Sequence, residues 1–156
     1  MDITLSIAKS AVMNEVAKQT SYIGLKITTS DGTNAYDQVF MTNDDQEMAE
    51  RYWREAVNAT TGNLRKFVKS VSEIPSSPSV DNTEVFTLEL TMPKRYDESQ
   101  TPTIQSSLFS YFTNFITSKW LALAYKGDAE YYEKYATASM HEILQKIYYK
   151  KPPKRK

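Results

Sequence analysis

The stretch from Ile104 to Tyr125 constrains the fold more than any other part of the chain. Ile104, Leu108, Tyr111, Phe112, Phe115, Ile116, Trp120 and Leu123 recur at helical spacing, and Phe109, Leu121 and Tyr125 add apolar area outside that stripe. A helix apolar over most of its circumference has two outlets: it lies at the centre of a core, or it carries an interface. No apolar run reaches the ~18 residues of a membrane span, so the surfaces that cover this helix are expected to be protein.

The rest of the chain supplies the layers around it. Ala8, Val12, Val16, Ile23 and Ile27 repeat at helical spacing and predict a first amphipathic helix, preceded by a short extended lead-in in which Ile3, Leu5 and Ile7 alternate. Leu25–Thr29 also fits a strand, and Ser30-Asp31-Gly32-Thr33-Asn34 reads as a turn, followed by a short connection or edge strand over Ala35–Met41. Thr42 or Asn43 then caps a second helix, with Asp45 or Gln46 completing a capping box. Its stripe runs through Met48, Tyr52, Trp53, Ala56, Val57, Leu64, Phe67, Val68 and Val71, with a kink expected near Gly62. Ile74–Asn82 is a loop by composition. From Thr83 to Met92 the pattern switches to strict alternation: Phe86, Leu88, Leu90 and Met92 share one side of a strand that Pro93 closes. Lys94–Pro102 reads as a polar loop. After the apolar third helix, Lys126-Gly127-Asp128 forms a tight junction in which Asp128 caps a fourth helix. The stripe of that helix is Tyr132, Tyr135, Ala136, Met140, Ile143, Leu144, Ile147 and Tyr148, and Pro152-Pro153 ends it.

The expected order is therefore helix, helix, strand, helix, helix. This is a mainly α (α+β) domain with a four-helix core and a small strand or hairpin. The 156 residues fit one domain of the usual ~100–200. An apolar fraction of 40% is enough for a core without staples. Residues 1–149 are read as that single domain and residues 150–156 as a basic C-terminal tail.

The composition leaves little room for familiar chemistry. The absence of cysteine removes disulfides, thiolate metal sites and thiol nucleophiles. His141 is the sole histidine, so it has no second imidazole with which to share a metal, and a structural or surface role is the simpler reading. There is no G-x-S-x-G elbow, no phosphate-binding loop and no dinucleotide fingerprint, and four glycines leave little material for either loop. The acidic run Asp44-Asp45-Glu47-Glu50 is explained by its place at a helix start. Asp97-Glu98 lies in a loop, and nothing brings other carboxylates to it as a two-metal site needs. The expectation is a protein that is not an enzyme and uses no cofactor or metal. Met1-Asp2-Ile3-Thr4 lacks the basic start of a signal peptide, which together with the missing cysteines points to a reducing aqueous compartment, or to something assembled there.

Charge and tyrosine carry what functional information remains. The 19 basic and 19 acidic residues cancel, but six of the basic ones (Lys146, Lys150, Lys151, Lys154, Arg155 and Lys156) follow the last acid, Glu142. An acidic body thus ends in a cationic tail, a pattern suited to docking on nucleic acid, a membrane surface or an acidic protein patch; the bland alternative is a frayed terminus. Eleven tyrosines are many for this length. Tyr131 and Tyr132 cannot both face a core, so some rings are expected at an interface. The candidate partner-binding residues are Tyr148, Tyr149, Lys150, Lys151, Lys154, Arg155 and Lys156. The same tyrosines beside lysines could stack on bases, so a small nucleic-acid-binding or regulatory protein using the tail is the alternative function.

Several segments together resemble a family of small tailed-phage and prophage proteins of the Bacteroides group. They are Val16–Lys26, Asp44-Asp45 with Tyr52–Ala56, Leu108–Ile116 with Lys119-Trp120, and Tyr148–Pro152. The element order is similar to that of the head–tail connectors of such phages, although the loops are longer than in the smallest connectors. The resemblance implies a structural virion protein of the neck, assembled in the bacterial host cytoplasm. It implies a ring of about a dozen copies through a heterologous, closing interface. Its partners would be the portal protein and the next neck or tail protein. DNA would pass through the lumen without sequence-specific binding.

Overall fold

A computed structural model describes residues 1–26, 39–41, 45–71, 84–124 and 127–155. Within them the chain runs β1 (Asp2–Ala8), α1 (Lys9–Lys26), α2 (Gln46–Asn63), β2 (Val68–Val71), β3 (Val85–Thr91), α3 (Thr101–Ala124) and α4 (Ala129–Tyr148), with one 3-10 turn at Glu98–Gln100 before α3. The molecule is mainly helical, with four long helices and a small three-stranded antiparallel sheet among the described residues, as the mainly α (α+β) reading expects.

The sheet order is β1-β3-β2. β1 pairs antiparallel with β3 from Asp2↔Thr91 to Ala8↔Val85. The alternation therefore does its work on both strands: Ile3, Leu5 and Ile7 and Phe86, Leu88 and Leu90 are buried on one face. β2 covers the other edge of β3, with an irregular register between Val68 and Ser70. The lead-in is thus a full strand, and the single strand expected from sequence has two partners.

α3 runs through the centre. It packs along α4 and also meets α1, α2 and β1. Ile104, Leu108, Phe112, Ile116 and Leu121 are wholly enclosed. Phe112 lies 5.1 Å from Trp53 of α2 and 5.7 Å from Phe86 of β3, which joins the helical layer to the sheet through three rings. Of the two outlets open to an apolar helix, α3 takes the core. Its small polar residues are satisfied locally: Thr113 and Ser118 donate to the carbonyls of Phe109 and Phe115, and Thr117 donates to Gln19 Oε1 of α1. Trp120 Nε1 donates to the Val39 carbonyl at 2.7 Å, and Thr20 Oγ1 of α1 accepts from the Met41 amide at 3.0 Å, so residues 39–41 are pinned over α1 and α3.

The second helix departs from expectation. It ends at Asn63, one residue beyond Gly62, where a kink was expected. The apolar series continuing through Phe67, Val68 and Val71 belongs to a turn and to β2. Its spacing fits either period, and the free edge of β3 decides in favour of a strand. Asp45 and Asp128 stand at the starts of α2 and α4, but neither side chain makes a capping bond. The expected caps Thr42 and Asn43, the turn at 30–34, the strand option beyond Lys26 and the loop at 74–82 lie outside the described residues; as far as Lys26 the chain is helical.

A buried ion pair, not expected from the residues alone, lies where β1 meets α1 and α2. Lys9 sits where β1 becomes α1 and is 2% exposed; Glu50 of α2 is 6% exposed. Lys9 Nζ donates to Glu50 Oε2 and lies 3.8 Å from Glu84 Oε2, while Arg54 approaches Glu50 at 3.6 Å. The Lys9 amide also donates to the Glu84 carbonyl, so backbone and side chain together tie the start of α1 to the start of β3.

Candidate functional site

α4 divides cleanly into two faces. Ala136, Met140, Ile143 and Ile147 form the buried stripe against α3. Tyr131, Tyr135, Ala138 and Glu142 fall away from that stripe and are exposed, as is Tyr149 just beyond the helix end. Tyr131 is 59% exposed, Tyr135 54%, Tyr148 49% and Tyr149 53%. Tyr132 turns toward the body: it is half-buried, meets Tyr135 edge-on at 5.9 Å, and its phenol is pushed above the usual range by burial, with Asp128 and Tyr135 adding to the shift. The aromatics that sequence reasoning assigned to surplus surface thus separate. Those of α3 are mostly internal, and those of α4 other than Tyr132 are exposed.

Beside Tyr135 the two helices leave a shallow groove of 460 Å³, bounded by Thr103, Ser106, Ser110 and Asn114 on α3 and by Ser139 and Glu142 on α4. The side chains on the α3 edge are short because helix spacing puts serine, threonine and asparagine there, so a partner surface can approach the helix backbone closely. Lys146 spans the lower end, donating to Ser107 Oγ at 2.9 Å.

The predicted tail residues are not a free thread. Tyr148 lies against Phe67 at 5.5 Å, and Lys66 Nζ stands over its ring at 5.9 Å from the centroid. Lys150 forms an antiparallel bridge with Tyr96. The Lys151 amide donates to the Arg95 carbonyl at 2.9 Å, and Arg95 Nη2 donates to the Lys151 carbonyl at 2.8 Å. Arg95 holds φ at 66°, a left-handed conformation that turns its carbonyl toward the tail. Pro152–Arg155 then run outward, exposed, and Lys156 lies outside the described residues. The tail root is therefore docked on its own domain before any partner arrives.

Asp97 sits beside this root. Its Oδ1 accepts from the Ser99 hydroxyl and amide, which caps the 3-10 turn and holds the carboxyl below its ordinary value of 3.8; Lys151 adds a smaller pull. The lowered value means that its contribution to stability is complete above 3.8 and is lost as pH falls through the lowered value. An NMR titration is expected to place the Asp97 side chain below 3.8, moving upward in Ser99→Ala; an unshifted value would show that the cap is not formed.

The other sequence candidates do not converge. Glu50 is spent on Lys9, Glu47 is exposed, and Asp44 lies outside the described residues. His141 is exposed next to Gln145 Nε2. No group of three metal-binding side chains occurs among the described residues, and no described helix is long and apolar enough to cross a membrane. Compared with protein-family models, curated proteins and solved structures, the chain gives no match.

Proposed function

We propose that this chain is a structural subunit of a tailed-phage neck: a head–tail connector that forms a ring between portal and tail. The observation that carries this reading is the outer face of α4. Tyr131 and Tyr135 present large rings to solvent on a domain whose core already closes without them. Tyrosine offers a broad apolar surface at low entropic cost and is enriched at protein interfaces. The segment resemblance supports the same reading, and the described order keeps a pair of helices on each side of β2 and β3, although β1 and β2 add strands to the expected order. A ring requires a heterologous contact, in which this face of one copy meets a different face of the next. The α3–α4 groove beside Tyr135 supplies a recess for such a neighbour, and the outward-running tail supplies an arm toward the portal or the next ring.

Electron microscopy and light scattering on the full chain, alone and with its portal, test this. Closed rings or density beneath the portal are expected. The double variant Tyr131→Ser/Tyr135→Ser is expected to weaken assembly by about 10- to 100-fold, as losing central aromatic contacts does, while leaving the helical spectrum unchanged. A protein that stays monomeric at every concentration and leaves the portal bare would overturn the reading.

A further inference from the structure

Folding gathers three dibasic pairs that are far apart in the chain. Arg65-Lys66 lies in the turn after α2, Lys94-Arg95 in the turn after β3, and Lys150-Lys151 at the tail root. Two contacts bring them together: Lys66 on the ring and hydroxyl of Tyr148, and Arg95 on the backbone of Lys151. Tyr148 and Lys151 are three residues apart, so their Cα atoms stand within ~11 Å. All six basic residues are exposed, and none forms an ion pair with a described carboxylate. The partner of Arg95 is a neutral carbonyl, so its charge stays uncompensated. Asp97 borders the cluster, close enough for Lys151 to lower its carboxyl, and its Oδ1 accepts from Ser99. Lys154 and Arg155 extend the same charge beyond a stiff Pro152-Pro153 spacer.

We infer that this composite cationic face, and not the tail alone, binds the phosphate backbone of nucleic acid without sequence preference. Two half-exposed rings, Tyr148 and Tyr149, sit within it, and aromatic side chains between cations are the parts from which sequence-tolerant nucleic-acid surfaces are made. An acidic patch on a second copy fits less well. Two of the three described acids of α2 are already paired, Glu55 with Arg51 and Glu50 with Arg54, and Glu130 of α4 is paired with Lys134, which leaves Glu47 as the isolated exposed acid of α2. The inference is independent of the neck reading, since a single copy presents the whole face.

Fluorescence anisotropy of the full chain with labelled duplex and single-stranded oligonucleotides of arbitrary sequence tests it. Binding is expected near 50 mM salt and is expected to fall steeply toward 200 mM, each phosphate contact adding about 0.9 to the slope on a double-logarithmic plot. Lys66→Glu, remote from the tail in sequence and exposed in the fold, is expected to weaken binding about tenfold and to lower that slope by about one or more. Lys150→Glu/Lys151→Glu is expected to cost more, and Lys134→Glu, at the far end of α4, nothing. Circular dichroism checks that each variant is folded. Undetectable binding at low salt would overturn the inference, as would full affinity in Lys66→Glu with loss only on deletion of residues 150–156. So would a preference for poly-glutamate over both oligonucleotides, or salt-sensitive self-association in place of nucleic-acid binding.

Discussion

Replacing Lys9 by methionine is expected to destabilise the protein by about 3–5 kcal/mol, the range found when one member of a buried ion pair is removed. Glu50 would keep its buried position with only Arg54, at 3.6 Å, to offset its charge, and Glu84 would face it without the shared ammonium. The cost lies in the stranded carboxylate, because the side-chain volume is nearly conserved. The double variant Lys9→Met/Glu50→Met is therefore expected to recover most of the loss, since replacing a whole buried pair by apolar groups is often neutral. Urea unfolding of the wild type, Lys9→Met, Glu50→Met and the double variant measures this as a double-mutant cycle. If Lys9→Met unfolds at the wild-type midpoint, the pair is not buried as described.

Phe112→Ala is expected to cost a similar ~3–5 kcal/mol through a different mechanism. Phe112 is fully enclosed and touches ring systems on α2 and β3, so its loss opens a cavity where the two layers meet. Trp53→Phe provides the contrast. The Trp53 indole N–H is buried without a hydrogen-bond partner in the described structure. Removing it relieves an unsatisfied donor at the price of some ring area, so the net change is expected to stay under ~1.5 kcal/mol. Chemical denaturation of both variants checks the order. A Trp53→Phe loss as large as that of Phe112→Ala would mean that the N–H has a partner in solution.

Much of this fold is legible in the residues themselves. The alternation from Phe86 to Met92 identifies β3 and its inward face, and the Ala136–Met140–Ile143–Ile147 spacing identifies the buried side of α4. β2 was hidden because Phe67, Val68 and Val71 satisfy a helical period as well as a short strand, and only pairing with β3 separates the two. Lys9 was hidden because a lysine next to a helix start reads as solvated, while the carboxylate that makes its burial tolerable stands 41 residues away. The basic tail was visible in composition; its anchorage on Arg95 and its meeting with Lys66 were not.

Periodicity is therefore written in the residues of each segment, and with it the side of β1, β3 and the helices that seeks cover. Which surface covers which is settled only on packing: α3 becomes the centre and not a free interface, Lys9 finds Glu50, and dibasic pairs from three segments are drawn together through Tyr148 and Lys151. The division has a physical cause. Periodicity is a short-range property written in neighbouring side chains, whereas charge pairing and surface clustering depend on distances set only when the helices and the sheet close around their shared core.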